Sequence, residues 1–309
     1  MAYQAVFKRY EMKYMMTRRQ KKAVLEAMLP YMKLDEFGHT TIRNVYFDTD
    51  NYILVRRSIE KPVYKEKFRI RSYKQAGAQD QVFIELKKKY DDVVYKRRES
   101  LSQLETLEWL VGGTPFPKAT QIGNEIDYFF RLYQTLKPKV FLSYEREAFY
   151  VHGRPEEICQ LGLTDARHAS SESLLGSNVH GRPGEICQPG LTDARHASSE
   201  RLLGSNVHGR PEEICQPGLT DGDFRVTFDE NILARQEELS LSRDVWGEPL
   251  IGEDKVLMEI KTSGGIPLWM THVLAREKIY KTSFSKYGTA YEKMICGHQT
   301  EKTGRVSIA

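Results

Sequence analysis

Apolar and polar residues alternate with a period of two along most of residues 1–150 and 222–309, the mark of strands with two unlike faces. Such segments run over 5–14, 41–48, 63–73, 80–89, 92–99, 139–150, 223–229 and 254–262, with Asp91-Asp92 as a hairpin turn between two of them. Helical spacing appears at 17–29, where Thr17 can cap and Pro30 can stop a helix, and again near 101–111, 121–135 and 267–281. Strands joined by hairpins, with helices between them, predict a mostly antiparallel α+β domain.

The alternation also sorts charge. Lys67, Arg69, Arg71 and Tyr73 share a face opposite Phe68 and Ile70, and Glu85 and Lys87 oppose Val82, Ile84 and Leu86. Arg9, Glu11 and Lys13 share a face, as do Lys96 and Arg98, and Tyr144 and Arg146. Asp223, Arg225 and Asp229 oppose Phe224, Val226 and Phe228, while Glu259 and Lys261 oppose Val256, Met258 and Ile260. A sheet with one solvated face gives the same alternation. The repeated use of Arg, a planar and weakly hydrated donor suited to phosphate, points instead to polyanion binding. If the sheet closes, these charges converge in a tunnel and focus a positive potential.

Residues 151–221 break the pattern. Val151–Asn178 and Val179–Asn206 are tandem copies that differ at three of 28 positions, and a third copy opens at Val207 and stops after Asp221. This block has no Lys, Met or aromatic residue and carries 6 Arg against 10 Asp and Glu. The net charge of +4 is therefore +8 on the remaining 238 residues and −4 on the block. Each copy offers only a Val, an Ile and a few Leu, too little apolar surface for a solenoid core. The repeats read as an insertion in a surface loop, with a short helix possible from Thr192. The host domain is then 1–150 plus 222–309. His152 and Cys159 recur with the repeat at a spacing that fits no standard zinc pattern.

Other classes are disfavoured. No apolar run reaches the length of a membrane span, and the first twenty residues lack the apolar stretch of a secretory leader. Four Cys in 309 residues suit a reducing, cytoplasmic setting. The net charge is too mild to predict a nucleic-acid partner, and neither G-x-x-x-x-G-K-[ST] nor a helix-opening G-x-G-x-x-G is present.

The series Tyr10-Glu-Met-Lys-Tyr14, Tyr46-Phe-Asp-Thr49, Phe68-Arg-Ile-Arg71, Val82-Phe-Ile-Glu-Leu-Lys87, Tyr144-Glu-Arg-Glu-Ala-Phe149, Phe224-Arg-Val-Thr-Phe-Asp229, Leu257-Met-Glu-Ile-Lys261 and Ser285-Lys-Tyr287 resembles the VTC (vacuolar transporter chaperone) polyphosphate polymerase domain. That family belongs with the triphosphate tunnel metalloenzymes. The related CYTH triphosphatases open with Glu-x-Glu-x-Lys; here Arg9 takes the place of the first carboxylate, which favours the polymerase branch.

The resemblance implies an antiparallel β tunnel with flanking helices, in which ATP donates its γ-phosphate to a growing polyphosphate chain. By the same resemblance Lys13, Arg69, Arg71, Lys87, Lys96, Arg98, Arg146, Arg225, Lys261 and Lys286 grip phosphate oxygens. Glu259 is the expected ligand of a divalent metal, Mg²⁺ or Mn²⁺, and Tyr144 would hydrogen-bond a phosphate or the nucleotide. Glu11 and Glu85 are expected as internal counter-ions, and Asp229 as a structural group orienting Arg225. A tunnel triphosphatase and a non-catalytic polyphosphate or inositol-phosphate sensor remain alternatives, though a pure binder has no need of Glu259.

Overall fold

The computed structural model describes residues 10–60, 62–91, 93–152 and 224–296. The tandem repeats with their short helix, Arg9 and the first residues of the strand expected at 5–14 lie outside the described residues. In chain order the elements are β1 (Tyr10–Thr17), α1 (Arg18–Met28), β2 (Met32–Asp48), α2 (Ile53–Ile59), β3 (Tyr64–Ser72), β4 (Gln81–Tyr90) and β5 (Val93–Ser102). Then come α3 (Gln103–Gly112), α4 (Gln121–Leu132), β6 (Lys137–Val151), β7 (Phe224–Arg235), β8 (Glu248–Pro249) and β9 (Lys255–Thr262). The described chain ends with α5 (Leu268–Arg276), β10 (Lys281–Thr282), α6 (Lys286–Ala290) and a π-helical turn (Tyr291–Cys296).

Local chemistry sets the helix starts. Thr17 and Gln20 form a capping box on α1, Ser102 and Glu105 form another on α3, and the Thr120 hydroxyl accepts from Gly123 N–H on α4. The helix expected over 267–281 stops at Arg276, because Lys278 takes φ 53° and turns the chain into β10. Two helices escape periodicity altogether, since α2 has seven residues and α6 five. Strand β2 begins well before the expected 41–48; a register shift between Leu34 and His39, with Gly38 at φ +56°, interrupts its alternation.

The ten strands form one antiparallel sheet in the order β10-β1-β9-β7-β6-β2-β3-β4-β5, with β8 beside β7. Hydrogen bonding leaves this path open. Side chains nevertheless bring its ends together: Lys87 of β4 lies 3.6 Å from Glu11 of β1, six strands away in the order. In a flat sheet those strands would be about 28 Å apart, at about 4.7 Å per step. The sheet is therefore curled around its charged face.

The convex face is apolar. Phe68, Val82, Ile84, Leu86 and Phe141 pack against Trp109 of α3 and Ile126 and Phe129 of α4. On the concave side Ile42, Leu142 and Leu257 meet Val55 of α2 and Tyr287 and Ala290 of α6. Buried Asp48 fixes that junction, accepting from Leu54 N–H and Val55 N–H at the start of α2 and from the Tyr287 hydroxyl, each at 2.9 Å. Burial lifts its carboxyl above the usual range. At the far end of β7, buried Arg235 donates to the carbonyls of Glu237, Glu238, Asp244 and Trp246 and so organises the loop into β8.

Phe68, wholly buried among Phe47, Phe129 and Phe130, anchors the convex core. Phe68→Ala should cost about 3–5 kcal/mol, read as a lowered urea midpoint at unchanged slope. A loss under about 1 kcal/mol would show that this face repacks.

Candidate functional site: a charged interior

The curl places two cationic clusters inside the sheet, each organised by buried carboxylate. The first surrounds Glu85 of β4, which is only 1% exposed. Arg69 donates to it through Nε at 2.8 Å, with Nη2 2.7 Å from the same oxygen, and donates through Nη1 to the Tyr46 hydroxyl at 2.8 Å. Lys96 lies 2.8 Å from Glu85, and Arg98 pairs with it and donates to the Tyr73 hydroxyl. Arg71 donates to Asn44 Oδ1 at 2.8 Å and to the Tyr144 hydroxyl at 3.1 Å. Burial alone would raise the Glu85 carboxyl, but Arg69, Arg71 and Lys96 hold it far below the carboxylate range. Four cations thus meet one carboxylate.

The second cluster joins β1, β6, β7, β9 and α6. Asp229, fully buried, accepts a bidentate fork from Arg146 at 2.6 and 2.7 Å and a further bond from Lys286. Glu259 lies 3.6 Å from Lys13, Arg146, Lys261 and Lys286 alike. Against the burial that would raise it, those cations keep the Glu259 carboxyl well below its usual range. Tyr144 connects the clusters, with Lys286 4.5 Å and Arg146 5.1 Å from its ring centre and its hydroxyl on Arg71.

Most of the residues expected from strand alternation therefore face one space. Lys13, Arg69, Arg71, Lys87, Lys96, Arg98, Arg146, Lys261, Lys286, Tyr144 and Glu259 all make contacts within it. Arg225 differs: although its backbone pairs with Lys261, its guanidinium turns to Asp35 at 2.7 Å. Asp229 does not orient Arg225; its partners are Arg146 and Lys286. The alternation contains one further member, Lys67, which shares the face of Arg69 and donates to Ser285 Oγ at 3.0 Å. Ser285, Asn44 and Tyr46 hold or orient cations, and their uncharged side chains give no sign of it in the sequence.

Among the described residues at least ten cations (the nine above and Lys67) share this interior with the carboxylates Glu11, Glu85, Asp229 and Glu259. Two of the lysines are shifted downward. Burial, then Lys13 and Lys87, push Lys67 down to about 7, and burial brings Lys96 down to about 8 despite Glu85. For metal binding, no three His, Cys, Asp or Glu gather among the described residues. A bare divalent cation would meet four positive charges around Glu259. A metal already carried on phosphate fits, with Glu259 adding one carboxylate to phosphate oxygens.

The fold is thus an antiparallel sheet curled about a cation-rich interior. The sequence pattern of the VTC domain matches residues 8–157 and 217–295, and the chain belongs to the VTC domain family. No curated protein matches it. Among solved structures it is similar to candidate adenylate cyclases from Bacillus halodurans (12% identity, TM-score 0.42, covering 92% of this chain and 96% of that one) and Vibrio parahaemolyticus (10%, 0.40, 93% and 98%). A candidate adenylyl cyclase of Hippeastrum with a dominant triphosphatase activity also aligns (13%, 0.30, 51% and 86%).

A polyanion in this interior returns protons to Lys67 and Lys96, so tripolyphosphate should bind with proton uptake and more weakly as pH rises from 7 to 9. In the free protein the sign is opposite. Above about pH 7 the unfolded chain binds more protons at these two lysines, so their contribution to stability rises with pH. Calorimetry in buffers of different ionisation enthalpy reads the uptake, and binding without it would refute this assignment.

Proposed function

We propose that the protein is an ATP-dependent polyphosphate polymerase, which moves the γ-phosphoryl group of ATP to the end of a polyphosphate chain. The observation that carries this reading is the excess of preassembled cations over carboxylates in an interior reached from both clusters, in a chain of the VTC family. The bond from the γ-phosphorus to its bridging oxygen breaks, a terminal oxygen of the chain bonds to that phosphorus, and ADP leaves. The attacking phosphate oxygen is already ionised near neutral pH, so no general base is required. What remains is positioning and relief of charge in a loose transition state.

The side chains divide this work. Lys13, Arg146, Lys261 and Lys286 hold the oxygens of the transferred group, and Tyr144 lies between them and Arg71. Arg69, Arg71, Lys96 and Arg98 hold the neighbouring phosphates, with Lys67 and Lys87 completing the grip. Arg225 would join only after leaving Asp35. Glu259 is the residue to hold Mg²⁺ or Mn²⁺, which when bound neutralises charge on the phosphates.

Purified protein with ATP and Mn²⁺ should give a ladder of long chains on a gel; release of free phosphate alone would replace this reading with hydrolysis. Glu259→Gln should lower turnover by about 10²-fold or more while tripolyphosphate binding without metal is kept, and unchanged turnover would remove its metal role.

The repeat block is proposed to be an insertion that the chemistry does not use. Tyr150 of β6 pairs with Arg225 of β7, so the block leaves and re-enters at neighbouring strand ends. Deleting 152–221 leaves Gly222-Asp223 as a two-residue hairpin loop, with Gly in the position a type II′ turn favours. That variant should stay within a few-fold of full turnover, and loss of solubility or activity would make the block integral. No helix among the described residues is long and apolar enough to cross a membrane.

A further inference from the structure

The phosphate-binding surface runs in one direction toward an aromatic rim. From the Glu259 cluster, Lys286 and Arg146 lie over the Tyr144 ring, and the Tyr144 hydroxyl accepts from Arg71. Arg71 and Arg98 in turn both lie 5.9 Å from the ring centre of Tyr73. Tyr73 follows the last residue of β3, and its exposure of 39% contrasts with 6% for Arg71 two residues earlier. Its ring is held in place from behind: Phe83 packs edge-on at 5.5 Å, and Arg98 lies 4.6 Å over Phe83 while donating to the Tyr73 hydroxyl.

An electron-rich ring fixed by two guanidinium groups, and open to solvent where the cationic surface ends, is unsuited to phosphate and suited to a flat heterocycle. We propose that Tyr73, backed by Phe83 and Arg98, is the stacking surface for the nucleobase of the triphosphate donor. The inference rests on the polymerase reading for the donor being a nucleotide, and it assigns a part of that donor that the cations do not hold. It also sets an orientation, with the base at the rim and the γ-phosphate toward Glu259.

Isothermal titration of the full chain with ATP and with tripolyphosphate separates base from phosphate. Tyr73→Leu should weaken ATP about tenfold, as loss of one base stack does, and leave tripolyphosphate within about twofold. Tyr73→Phe, which keeps the ring but not the hydroxyl, should fall less than Tyr73→Leu. Equal losses for both ligands would mean that Tyr73 only orients Arg71 and Arg98, and would overturn the stacking surface. A wild-type protein that binds the two ligands equally tightly would overturn it as well. If ATP binding depends on Tyr73 but no chain grows, the stacking surface stands and the polymerase reading falls.

Discussion

Repulsion among the interior cations is the constraint that the rest of the structure answers. Among the described residues at least ten lysine and arginine side chains converge on one face of the sheet, where like charges repel more strongly than in open water. Glu85 and Asp229 each bind several cations at full burial, and a carboxylate stripped of its partners in such a place would be strongly destabilising. These pairs leave positive charge over. Lys67 and Lys96 give up protons more readily than in water, above all through loss of hydration, whereas Lys286 beside Asp229 holds its proton more tightly. Apolar burial opposes that cost, and the aromatic layer of Phe47, Phe68, Phe129 and Phe130 on the convex face is part of it.

How much of this was legible in the sequence depends on distance along the chain. Period-two alternation needs only neighbours, so the charged faces of 67–73, 85–87 and 96–98 were readable, and Lys67 stood in the same series as Arg69 and Arg71. Thr17 announced a helix start for the same local reason. Partner choice is not local. Arg146 and Asp229 are opposite one another on β6 and β7 but 83 positions apart in sequence, and nothing in either segment names the other. The pairing of Arg225 with Asp35 falls beside the irregular stretch of β2, whose shift the sequence signals only through Gly38. Helices of five and seven residues are too short to show a period.

One of those short helices carries much of the site. Tyr287 hangs from Asp48, and the same turn presents Ser285 to Lys67 and Lys286 to Asp229 and Glu259. The Asp48 carboxylate, which forms no ion pair among the described residues, is held by backbone N–H groups and one phenol, which suits a group that fixes geometry without drawing on the cations. The positions of Ser285 and Lys286 are thus set by a residue outside both charged clusters.

The pairing of Tyr150 with Arg225 has a consequence for engineering. Whatever chain joins two adjacent strand ends must begin and end within one cross-strand spacing, so its length enters the folding free energy only logarithmically. The β6–β7 hairpin is thus a port where a fluorescent protein, an affinity tag or a tether to a solid support can replace native sequence. A catalyst immobilised there would keep its sheet uncut and both chain termini free.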